Sequence, residues 1–68
     1  MSEIPIAPVA RLMKQSGAER VSEDAKEELA EYLDEVARSV AKQALAAAKL
    51  AKRKTIKGED IKLVIKSL

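Results

Sequence analysis

The sequence predicts an all-α chain: a short helix, a loop, a long central helix, a loop and a short helix. Three observations carry that prediction. Ser22 to Ala51 runs without Gly or Pro and is rich in Ala, Leu, Glu and Lys, the composition of a single long helix. Apolar residues recur at three- and four-residue steps in all three segments. Pro5, Pro8 and Gly17 punctuate the chain at one end of the first segment and the close of it.

The prolines fit only an extended lead-in or a first helical turn, because further in they would remove a backbone hydrogen bond. The first helix therefore begins near Pro5 to Pro8. Ile6, Val9, Leu12 and Met13 form its apolar stripe, Arg11 and Lys14 lie three apart on another face, and Gly17 is a natural stop. Ser16 to Val21 is a short loop.

Ser22 is a good N-cap for the long helix, and Glu23 and Asp24 favour its positive end. Ala25 at the third position rules out a capping box. Ala25, Leu29, Tyr32, Leu33, Val36, Val40, Ala44, Ala47, Ala48 and Ala51 make a stripe along the whole helix, bulky in its first half and mostly Ala in its second. Small residues there let another helix approach closely. The break falls at Lys52 to Lys54, with β-preferring Thr55 and Ile56 behind it. A last amphipathic run opens with Glu59 and Asp60 and carries Ile61, Val64, Ile65 and Leu68 on one stripe.

A helix from Ser22 to Ala51 would be about 42–45 Å long, while each flanking helix supplies only about 16 Å. Half of the long helix is left uncovered. At 68 residues the chain is expected to be one domain, 1–68, near the lower limit of independent stability. It has no Cys and no His, which excludes disulfides, zinc fingers and Ser-His-Asp or Cys-His catalysis. Oligomerisation is the remaining support, and two copies crossing at their long helices would close the open stripe. No run of 18 apolar residues and no charged-apolar-small leader is present, so neither a membrane span nor a signal peptide is expected and the cytoplasm is the expected location.

Net charge is only +2, but it is segregated. Glu19 to Glu35 holds eight acids against two bases, whereas Arg38 to Lys57 holds seven bases and no acid. Acids near a helix N-terminus and bases near its C-terminus complement the macrodipole. That does not account for Lys52, Arg53, Lys54 and Lys57, which lie at or beyond the helix end. The acidic run Glu27, Glu28, Glu31, Asp34 and Glu35 reads as a solvated face, since no His and no cleft accompany it. No metal, cofactor or small-molecule substrate is expected.

The run IPIAPVARLMKQSGAERVSEDA together with RKTIKGEDIKLVIKSL resembles the archaeal histone family over nearly all of the chain. The most specific pieces are PIAP-x-x-R, GAERVS and RKTI-K-x-EDI. The resemblance implies a histone fold and an obligate, intertwined head-to-tail dimer, with the first loop of one protomer beside the second loop of the other. Leu29, Leu33, Val36 and Val40 would then build the dimer interface. It further implies that paired loops and first helices touch double-stranded DNA: Arg11 as the first-helix arginine, Arg20 as the loop arginine entering the minor groove, Arg53, Lys54 and Thr55 as the second-loop motif, and Lys14 and Lys57 as basic flanks. The family's arginine at the place of Arg53 also pairs with the acid at Asp60. Such contacts reach the DNA backbone rather than base edges, so little sequence preference is expected. A DNA-wrapping protein of the chromosome or nucleoid, without catalysis, is the expected function.

The chain departs from the family at its expected dimer-to-dimer contact, which involves Ala47, Leu50, Asp60 and Leu63. A common His stands as Leu50, a bulky aliphatic residue as Ala47, and a frequent Gly as Lys52. Weak association of successive dimers is therefore expected, with larger oligomers on DNA left open. The competing expectation is a protein-interaction module, or a heterodimer with a paralogous histone, whose basic loops are incidental.

Overall fold

The computed structural model describes residues 3–68 and contains helices α1 (Ile6–Gln15), α2 (Glu23–Leu50) and α3 (Gly58–Lys66), with no strand among the described residues. The 28 residues of α2 give it a length of about 42 Å. Each helix begins and ends within about two residues of where the sequence placed it.

The ends of α2 follow from its flanking residues. The Ser22 hydroxyl accepts the Ala25 backbone N–H at 3.3 Å and donates to Asp24 Oδ1 at 2.6 Å, so the expected N-cap is made. The Asp24 carboxyl is held below its ordinary pKa, chiefly by that hydroxyl. At the other end the Arg53 N–H donates to the Ala48 carbonyl and the Lys52 N–H to the Lys49 carbonyl, both at 2.9 Å. This 6→1 and 5→2 pair is a Schellman turn, which requires a left-handed residue just past the helix. Lys52 fills that place with φ +59°.

The chain forms two compact units that divide within α2, one ending at Glu35 and the other starting at Val36. In the first unit Val9 of α1 and Ala30 of α2 are buried, and Met13, Leu29 and Leu33 are half-buried. Leu12 and Tyr32, both placed on apolar stripes by the sequence, are exposed. In the second unit Ala44, Ala48, Asp60 and Val64 are buried. The alanines of α2 thus receive α3, the only other helix of that unit. Among the apolar residues of α3's stripe, Ile61 is half-buried while Ile65 and Leu68 remain exposed.

Only five apolar residues are fully buried among the described residues, and three of them are alanines that contribute little apolar area. Leu29, Leu33, Val36 and Val40 are each left half-buried along α2. The uncovered stripe expected from helix length is present.

Candidate nucleic-acid interface

The basic turn after α2 is built around one carboxylate. Asp60, in the first turn of α3, is 4% exposed and accepts three hydrogen bonds. Arg53 Nη1 donates to Oδ2 at 3.0 Å and Nη2 to Oδ1 at 2.8 Å, a bidentate fork. The Lys57 backbone N–H donates to Oδ2 at 2.7 Å, one of the otherwise orphaned donors at the start of α3. The Arg53 guanidinium and this N–H together hold the Asp60 carboxyl at about 2, against an ordinary 3.8. Arg53 Nη1 also donates to the Thr55 carbonyl at 3.0 Å. The turn from Lys52 to Lys57 is therefore tied at both ends to one side chain.

This clamp separates the second-loop residues by task. Arg53 commits its guanidinium to Asp60 and Thr55, with Glu59 Oε1 a further contact at 3.8 Å. Lys52, Lys54 and Lys57 are exposed, and their ammonium groups meet no partner among the described residues. Thr55 is exposed as well. In the first unit Arg11 and Lys14 project from α1 into solvent, and Arg20 is exposed in the loop before α2. No ion pair joins Arg20 to Glu19, and none of these three cations has a partner among the described residues.

The acidic face of α2 lies as expected, with Glu27, Glu28, Glu31 and Glu35 exposed and Asp34 half-buried. Among the described residues no group of three acids could hold a metal ion. No helix of the described residues is long and apolar enough to cross a membrane. Of the residues assigned to contact between dimers, Leu50 and Leu63 are 88% and 59% exposed, Ala47 is half-buried, and Asp60 has both oxygens occupied.

Three helices in this order, with a clamped basic turn after the longest, agree with comparison to known sequences. The profile of the family described as histone-like transcription factor (CBF/NF-Y) and archaeal histone matches residues 2–65. The chain belongs to this family. Within it, an archaeal histone of Thermococcus zilligii, named as one of the HAN1 subunits, is 55% identical over 98% of this chain and 100% of its own length. "Probable archaeal histone 3" of Methanocaldococcus jannaschii is 47% identical over 97% and 98%. "Transcriptional activator HAP3" of Kluyveromyces lactis is 43% identical over 96% of this chain but only 33% of its own length. Membership gives the chain an all-α histone fold.

Two features of the turn escape sequence reading. The bond from Lys57 N–H to Asp60 has a sequence signal, an acid at the third position of a helix, but the cap residue there is a Lys rather than Ser or Thr. The left-handed Lys52 has none, because helix ends of this kind are recognised by Gly or Asn.

Proposed function

We propose that this histone-fold chain is an architectural chromatin protein that binds and wraps double-stranded DNA with little sequence preference. The observation that carries the reading is the clamped turn after α2, where three unpartnered lysines stand on a backbone fixed by Asp60. Lysine ammonium groups neutralise phosphates without reading bases, and a fixed turn presents them without further ordering cost. Arg11, Lys14 and Arg20 add cations of the same kind, with Arg20 suited to a narrow minor groove. Thr55 supplies a hydroxyl for a phosphate oxygen. Arg53 serves chiefly by holding the turn.

The binding unit is a homodimer whose interface is Leu29, Leu33, Val36 and Val40, each copy contributing one histone-fold domain over 1–68. The half-buried state of that stripe supports this. Pairing with a paralogous chain is the second reading, favoured by the name of the 55% identical relative, which presents it as one of several subunits. The protein resides on the chromosome in the cytoplasm and performs no reaction of its own. Contact between dimers through Ala47, Leu50, Asp60 and Leu63 is weak, because Lys52 adds charge nearby and no polar anchor replaces the family's His.

Duplex binding at two salt concentrations tests the reading. With about 6–10 phosphates met per dimer, affinity falls roughly 10³–10⁵-fold between 50 and 200 mM salt. A flat response overturns it. Gel filtration of the purified chain, then of the chain mixed with duplex, separates a DNA-binding homodimer from a dimer that ignores DNA.

A further inference from the structure

We propose that Lys52 is itself a phosphate-binding residue, held for that purpose in a backbone conformation that a lysine disfavours. The proposal rests on the duplex-DNA reading above and adds to it a residue that the second-loop motif does not include.

Two positions with positive φ close helices in this chain. After α1 the position is Gly17, at φ +115°, and after α2 it is Lys52, at φ +59°. Lys52 is the only non-glycine residue with positive φ among the described residues. A left-handed L-residue brings its Cβ against the following carbonyl, a strain that Gly avoids and Asn tolerates. The turn itself asks for nothing that Lys supplies, since its two hydrogen bonds, Arg53 N–H to the Ala48 carbonyl and Lys52 N–H to the Lys49 carbonyl, use backbone atoms alone. Strained positions of this kind persist where the side chain is used.

Uses within the chain do not account for it. The side chain is exposed and meets no partner among the described residues. Lys49 already stands in the last turn of α2 to complement the helix dipole, and a second exposed cation adds only a salt-screened increment. Arg53, the next residue, cannot turn to a phosphate without releasing Asp60 and the Thr55 carbonyl. Its neighbours on either side, Lys52 and Lys54, are the free cations. The Schellman bonds fix the backbone before Arg53 and the Asp60 clamp fixes it after, so Lys52 projects from a rigid turn. A Lys there gives a point charge suited to a backbone phosphate and offers no bidentate reading of bases.

Three proteins decide the matter: wild type, Lys52→Gly and Lys52→Arg, each titrated against a short duplex that seats a single dimer, from 50 to 200 mM salt. Lys52→Gly relieves the strain, so it melts about 4–8 °C higher at equal protein concentration. Its loss of binding therefore cannot come from unfolding. Its slope of log affinity against log salt falls by about 0.9 per lost phosphate contact, or about 2 for both copies of a dimer. Lys52→Arg keeps the wild-type slope. A steep wild-type response with an unchanged slope in Lys52→Gly overturns the role of Lys52 and leaves duplex binding standing. A flat wild-type response overturns both. A Lys52→Gly protein that melts no higher than wild type removes the strain and with it the proposal.

Discussion

Asp60 shows how much of the basic turn depends on one side chain. It is almost completely buried, yet its charge is matched by a bidentate guanidinium and a backbone N–H, the condition under which a buried charge is tolerated. Its folded pKa of about 2 lies below the ordinary 3.8. A depressed carboxyl contributes stability that is fully present above the ordinary value and is lost as pH falls through the folded one. The melting temperature of the wild type should therefore decline between about pH 4 and pH 2, with Asp24, also depressed, adding to the decline. Asp60→Asn, which keeps the shape but loses the charge, should melt lower at neutral pH and show a shallower decline, read by circular dichroism melts across that range. Equal slopes in the two proteins would mean the clamp contributes nothing through its charge. The Arg53–Asp60 pair was legible through the family's RKTI-K-x-EDI pattern. The bonds to Thr55 and Lys57 were not, because they depend on how six loop residues fold back, which residue spacing does not encode. Lys52 was legible as a missing glycine but not as a strained residue.

At the scale of the element, α2 was the most legible part of the chain and α3 the least complete. A run from Ser22 to Ala51 without Gly or Pro leaves a helix as its only economical structure, and the cap at Ser22 marks where it starts. That cap is testable by itself. Ser22→Ala removes the acceptor for the Ala25 N–H and should cost about 1 kcal/mol, a fall of about 4–8 °C in melting temperature for a domain of this size. Ser22→Asp should restore most of it, since a carboxylate caps as well as a hydroxyl and favours the positive helix end. The purpose of the alanine-rich half was only partly legible. Small residues predict a close neighbour, but not which one, and within the chain Ala44 and Ala48 are buried in the unit that holds α3. The apolar stripes overstate burial at Leu12, Tyr32, Ile65 and Leu68, because periodicity reports which residues share a face and not whether that face is covered within one chain.

For the whole molecule, the exposed and half-buried apolar residues make stability a question of concentration. Val9 and Val64 are the only buried residues larger than Ala in the apolar core, too little to offset the entropy of ordering a chain of this length. If a second copy covers Leu29, Leu33, Val36 and Val40, folding and association are one equilibrium, and each tenfold rise in protein concentration adds about 1.4 kcal/mol to the stability of the dimer. The melting temperature should then climb by a few degrees per decade of concentration, whereas a self-sufficient monomer would melt at a fixed temperature. Val36→Glu supplies the complementary test, because it places an unpaired carboxylate in the middle of that stripe, where covering it would desolvate the charge. The variant should elute at or beyond monomer volume on gel filtration and lose helical signal at concentrations where the wild type keeps it. Acid should restore association in part, since protonation removes the charge that opposes burial. A Val36→Glu protein that remains a fully helical dimer at neutral pH would place the interface on another face of α2.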